Sequence, residues 1–231
     1  MPGAKEIDLE SLGSSFGFVF DHASGIGELI TAAPTFNQVV AEFEGAEAHA
    51  GIRPEDGRSA IAAAAAAVAS MQLGRLDDKT TANVGLIAGG TATNVVARHC
   101  RIEAEARSLD ESRAAEATSA IVDACTWAAS EHGCDVDVDV SEIFRGYRLP
   151  SSGPALRIGA EALRRCGHEP REVATGGGSD ANALVARGFE CVLLANGTEA
   201  NHTPEESVAA ERIEQMLEVC EAILTVAGEQ E

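Results

Sequence analysis

Residues 134–144 read CDVDVDVSEIF, with valines and aspartates in strict alternation. Successive strand residues point to opposite faces, so this stretch is a strand with an apolar face on a core and a carboxylate face in water. Upstream, DESRAAEATSAIVDACTWAASEHG (110–133) opens on an aspartate suited to an N-cap and ends at Gly133, as a helix should. NVVARHCRIEAEARSL (94–109) alternates cleanly, and TTANVGLIAGG (80–90) reads as a further strand. GRSAIAAAAAAVASMQL (57–73) is helix-forming on propensity alone. TFNQVVAEFEG (35–45) alternates like a strand with one wet face. The order βαββαβ is the ferredoxin-like plan, one antiparallel sheet with two helices on one face, expected over residues 34–146.

On either side the pattern changes. GFVFDH (17–22) reads as a short buried strand followed by a glycine-bearing loop, ASGIGE. After LPSSGP come a helix over 154–167, the strand EVAT, GGGSD, the helix ANALVARG, the strand FECVLLAN, and a final helix from about Pro204 to Ala227. Alternating strands and helices suggest a parallel, doubly covered sheet. Only two or three strands are legible for it, too few to close an α/β layer. The expected fold class is therefore α/β (α+β): a partial α/β domain made of residues 1–33 and 147–231, with the βαββαβ module inserted. On that count of strands, the distal segments should exchange amide hydrogens faster than the module.

The 231 residues carry 17 Lys+Arg against 37 Asp+Glu, a net charge of -20. So acidic a surface repels phosphate backbones, which argues against nucleic acid and anionic membrane as partners. The opening MPGAKEIDLESL has no apolar h-region, and SAIAAAAAAVASMQLG is too short and alanine-rich to span a bilayer; a cytoplasmic protein is expected. The six cysteines form no CxxC pair and read as buried free thiols in a reducing compartment.

Several motifs could carry chemistry. In GGGSDAN (176–182), Gly176, Gly177, Gly178 and Ser179 lie between a strand and a helix, where backbone can approach an anionic ligand closely; a plain tight turn is the bland alternative. A nucleophile elbow at Ser179 is discounted, because GGSDA lacks the second glycine of GxSxG. His49, in AHAGIRPEDGRSA, follows the module's first strand and could polarise a substrate carbonyl, with solvent exposure the default. Asn94 and Arg107 sit at the start and near the end of the next long strand, and an Arg facing a cleft would clamp a carboxylate. Asp21 ends a strand, where α/β folds present site residues, and its neighbour His22 points to the opposite face. His202 lies in the polar loop NGTEANHTPEES, while His99, His132 and His168 look like surface histidines. Arg145-Gly146-Tyr147-Arg148 reads as a basic hinge leaving the module.

Together FVFDHASGIGE, AHAGIRPEDGRSAI, GGTATNVV and GGGSDAN followed by NGTEANHTPEES resemble, in this order, the co-catalytic di-zinc peptidases. That family includes peptidase T-like tripeptidases, glutamate carboxypeptidase, aminoacylase and succinyl-diaminopimelate desuccinylase, and the tripeptidase branch is nearest. The inserted module is similar to the family's lid, or dimerisation, domain. The resemblance implies hydrolysis of short peptides by a water bridging two zinc ions, in a homodimer formed through the lid. It makes Asp21 a terminal ligand of one zinc and His202 of the other, His49 the group that steadies the oxyanion, in several relatives from the partner subunit, and Asn94, Arg107 and Gly176–Ser179 the holders of substrate. The family's first histidine with its aspartate, its bridging aspartate and its Glu-Glu pair would precede residue 1, since PGAK resembles the stretch just after that pair. Each zinc would then keep one protein ligand, so zinc binding and activity by this chain alone are expected to be weak or absent. Within the family an aminoacylase or N-acyl-amino-acid deacylase is the alternative. Outside it stand a non-catalytic dimerisation module and half of a split enzyme.

Overall fold

The computed structural model describes residues 2–229. They fall into two compact units: residues 35–144, and a second made of the segments on either side.

In the first unit, strands β3 (Thr35–Glu44), β5 (Thr80–Gly89), β6 (His99–Ser108) and β7 (Asp135–Phe144) form an antiparallel sheet, extended at one edge by the short β4 (Gly74–Asp77). The strand order is β4-β5-β6-β3-β7. Helices α2 (Ala60–Ser70) and α3 (Glu111–Glu131) cover one face. The alternation dictates which face: Val39, Ala41 and Phe43 of β3 and Cys100, Ile102, Ala104 and Ala106 of β6 are buried under the helices. The alanines of α2 (Ala60, Ala63, Ala64, Ala67) leave room for close contact with α3. Asp110 caps α3 by accepting from Ser112 and Arg113 N–H, and Ser59 caps α2 by accepting from Ala62 N–H. On the open face carboxylates face carboxylates: Glu42 lies opposite Asp137 and Glu44 opposite Asp135. On the other side Glu42 and Glu44 bond Arg101 and Arg98.

The second unit holds more sheet than its sequence advertises. Five strands are present: β1 (Phe16–His22), β2 (Glu28–Ala33), β8 (Tyr147–Arg148), β9 (Arg171–Ala174) and β10 (Glu190–Ala195). The expected count of two or three is corrected here, and so is the expected parallel sheet. β1 and β10 run parallel, β2 runs antiparallel to β10, and β2's other edge pairs β8 antiparallel and β9 parallel. β2 escapes a period-two reading because ELITAA is buried on both faces and does not alternate. β8 lies in the stretch read as a hinge. Helices α4 (Pro154–Arg165) and α6 (Ala210–Gly228) pack on the face carrying Phe16, Phe18, Val192 and Leu194. α5 (Asp180–Ala186) packs on the face carrying Ile30, Cys191 and Leu193. With β2 central and buried, the expectation of faster exchange in this unit loses its premise.

The six cysteines are free, and burial pushes the thiols of Cys125 and Cys191 up to about 11 and about 12. Among the described residues no helix is long and apolar enough to cross a membrane.

Candidate functional site

Two loops at one end of the first unit's sheet are stitched together by backbone. Ala50 N–H donates to the Asn94 carbonyl at 3.0 Å and Val96 N–H to the Ala48 carbonyl at 2.9 Å, around an antiparallel bridge between His49 and Val95. His49 and Asn94 are both exposed on this two-loop platform. Asn94 does not start β6, as its sequence suggested: residues 94–98 are loop, held by cross-loop bonds that mimic the alternation of a strand. Gly51 N–H donates to His49 Nδ1 at 3.2 Å. A neutral imidazole whose Nδ1 accepts must carry its proton on Nε2, so the free nitrogen of His49 is a hydrogen-bond donor. Donation is what a developing oxyanion requires.

Arg107 lies at the other end of β6, eight residues beyond His99, which at ~3.3 Å per residue is about 26 Å along the strand. Its guanidinium is 4.3 Å from the centroid of the Phe36 ring and makes a two-point contact with Glu105 at 3.0 and 2.9 Å. The planar fork is thus preorganised, and a ligand carboxylate would compete with Glu105 for it.

In the second unit, parallel β1 and β10 finish at the same end of the sheet. Asn196 locks this end, its N–H donating to the His22 carbonyl at 2.9 Å and its Nδ2 to the Phe20 carbonyl at 3.3 Å. Asp21 is exposed there, and His22, half-buried, has its pKa lowered by burial against the opposing pull of Glu28 and Asp21. Beyond β10 the chain makes a closed loop in which Glu199 and Ser207 exchange backbone bonds at 2.9 and 3.2 Å. His202 sits exposed in it at φ 64°, a left-handed conformation that costs a non-glycine residue energy. The carboxylate of Glu206 accepts from His202 N–H at 2.8 Å and helps hold it there. No spacing points to that role, because residues 204–209 read as the start of the last helix. That helix begins at Ala210.

The glycine loop ends in a complete cap. Ser179 Oγ accepts from Ala181 N–H, Ser179 N–H donates to Asn182 Oδ1 at 3.1 Å, and Asn182 Nδ2 donates to the Arg145 carbonyl at 2.9 Å. Ser179 and Asn182 are buried, so the exposed part of the loop is Gly176, Gly177 and Gly178. Ser179 serves the helix with its side chain. Asn182 is the structural residue that the sequence reading passed over.

Asp21 therefore lies at the end of β1 and His202 in the loop that follows the neighbouring β10, but among the described residues no group of three or more His, Cys, Asp and Glu is placed to hold a metal ion. A tetrahedral zinc takes three or four protein donors. The residues described do not fit a tightly held zinc.

Residues 35–133 match the family model described as a peptidase dimerisation domain. An uncharacterised Bacillus subtilis protein, YqjE, is 36% identical over 226 residues, covering 98% of this chain and 61% of its own. Among solved structures, aminopeptidase PepT from Bacillus cereus superposes with a TM-score of 0.86 at 37% identity, over 98% of this chain and 61% of that one. A tripeptidase from Staphylococcus aureus gives 0.90 at 34% identity, over 97% and 60%. The chain spans about three-fifths of the length of each of these relatives. Residues 35–133 thus carry a peptidase dimerisation domain, and the chain as a whole is similar to part of these peptidases.

Proposed function

We propose that this chain is the dimerising, substrate-holding part of a zinc-dependent hydrolase of short peptides, and that alone it neither binds zinc tightly nor turns peptides over. The observation that carries the reading is the separation along β6. His49 and Asn94 lie near one end of a strand and Arg107 at the other, about 26 Å away. An extended tripeptide spans about 10 Å, so one copy cannot bring all three to one substrate. Two copies can, if the platform of one serves the Arg107 end of the other. A surface suited to pairing exists: among the described residues, 83–89 of β5 have β6 as their one ladder neighbour, and Ile87 and Leu86 are exposed, as is Ile61 of α2. Exposed apolar side chains beside an open edge are the usual ground of strand-to-strand pairing.

In this reading His49 donates from Nε2 to the substrate carbonyl oxygen, Asn94 orients the peptide and Arg107 takes its terminal carboxylate; in the second unit the exposed backbone of Gly176, Gly177 and Gly178 offers further donors to substrate. Asp21 and His202 are the two residues that would contribute metal ligands, one each, to a centre completed by other groups. When bound, the metal would supply an activated water. The similarity to a tripeptidase supports peptides over acylated amino acids as substrate. Purified chain, given tripeptides and zinc, is expected to show no turnover and to release zinc to a weak chelator; metal-dependent hydrolysis would overturn the proposal. A dimer in analytical ultracentrifugation that Ile87→Lys dissociates supports the pairing, and a monomer refutes it.

A further inference from the structure

Beside Arg107 the open face of the first unit's sheet sinks into a shallow cavity of about 250 Å³. Its walls are Phe36 and Gln38 of β3, Asn83 and Leu86 of β5, and Glu103 and Glu105 of β6. Strand register builds it. Cys100, Ile102, Ala104 and Ala106 face the helices, so Arg101, Glu103, Glu105 and Arg107 line up on the open face. Gln38 and Asn83 stand opposite Glu105, one on each side. A bulge in β5 between Val84 and Leu86 brings Leu86, rather than Gly85, opposite Glu103. Phe36 sits edge-on to Phe144, ring centroids 5.3 Å apart, and carries the Arg107 guanidinium over its own face. Charge decides what this cavity accepts. Three carboxylates, Glu42, Glu103 and Glu105, share two guanidiniums, Arg101 and Arg107, along the face. Among the described residues Glu105 has Arg107 as its one ion-pair and hydrogen-bond partner.

We infer that this cavity receives the side chain of the residue whose carboxylate Arg107 takes, and that Glu105 makes it select a long cationic side chain, that of lysine or arginine. The inference rests on the proposed role of Arg107. A peptide carboxylate entering the guanidinium fork displaces Glu105, so one ion pair replaces another. A peptide without a side-chain cation then leaves Glu105 unpaired beside Glu103, with little net gain. A cationic side chain on that same residue restores the balance by pairing with Glu105. Its methylenes lie against Phe36 and Leu86, and its head stands beside Gln38 and Asn83. An anionic side chain meets two carboxylates and is repelled. Glu105 thus competes with every peptide carboxylate for Arg107 and is compensated only by a basic C-terminal residue.

Binding is read on the purified chain by chemical-shift titration of the Arg107 Nε–H and the backbone amides of residues 83–86 and 103–107. The probes are Gly-Gly-Lys, Gly-Gly-norleucine and the C-terminal amide of Gly-Gly-Lys. Gly-Gly-Lys should bind about fivefold tighter than Gly-Gly-norleucine, the yield of roughly one solvent-accessible ion pair. Glu105→Gln should move the two in opposite directions. The norleucine peptide gains affinity because its competitor for Arg107 is gone, and the lysine peptide loses its advantage. Equal affinity of the unaltered chain for the two peptides overturns the inference. So does a Glu105→Gln chain with a native 15N spectrum that still prefers lysine, or that binds both peptides more weakly, as a merely structural role would have it. The amide separates this inference from the reading beneath it. If the free acids bind better than the amide while lysine and norleucine stay equal, Arg107 keeps its carboxylate and only the inference falls. If acid and amide bind alike, or no probe binds at millimolar concentration, the role of Arg107 and the inference fall together.

Discussion

Asn182 offers a direct test of how the glycine loop is held. Its side chain is 1% exposed and fully used, Oδ1 accepting from Ser179 N–H and Nδ2 donating to the Arg145 carbonyl. Asn182→Ala strips the buried Ser179 N–H of its acceptor, at about 1–3 kcal/mol, and the Arg145 carbonyl of one donor, at about 0.5–1.5 kcal/mol. The expected loss of stability is about 3 kcal/mol. Asn182→Asp isolates one of the two bonds. It keeps an acceptor for Ser179 but places a carboxylate oxygen against the Arg145 carbonyl, and should cost at least as much as Ala near neutral pH. Urea unfolding followed by hydrogen exchange and mass spectrometry reads the two units separately. Peptides covering residues 172–186 should lose protection, and those of β3 and β6 should not. A loss below about 0.5 kcal/mol for both variants, or equal deprotection of both units, would refute the assignment of Asn182 as the clamp.

Gly51→Pro removes the N–H that bonds His49 Nδ1, and 15N chemical shifts of the imidazole should move from an Nε2–H form to a mixture of tautomers; an unchanged spectrum argues against the contact. Asp137→Lys replaces the like charge opposite Glu42, so the melting temperature should rise by a few degrees at 10 mM salt and by almost nothing at 1 M, where the Debye length is about 3 Å. A rise that persists at 1 M would point to packing instead. Burial raises the Cys191 thiol from 9.0 to about 12, so the unfolded chain ionises first and stability contributed below about pH 9 is lost as pH climbs toward 12. Plotted over pH 8 to 11, the urea midpoint should fall less steeply in Cys191→Val; parallel slopes would contradict the linkage.

The sequence made the first unit legible because its sheet has one wet face. CDVDVDVSEIF and HCRIEAEARS alternate as half-buried strands must, and the caps Asp110 and Gly133 punctuate the helix between them. The second unit hid its central strand for the opposite reason: a strand covered on both faces, like ELITAA, has no polar half to beat against. The motif positions were legible as loops, but their partners were not. That Gly51 orients His49, that Glu206 steadies His202 and that Arg107 leans on Phe36 are facts of tertiary approach which no spacing announces.

β6 is also a ruler. Because its side chains alternate with a period of two, inserting one residue would turn Arg107 from the open face into the alanine core. Inserting two would keep its face but carry it about 7 Å further from the platform of His49 and Asn94. Neither change is graded. The strand's length is therefore inherited in whole steps or not at all, and a lineage that came to favour longer or shorter substrates would have to find that change in the loops.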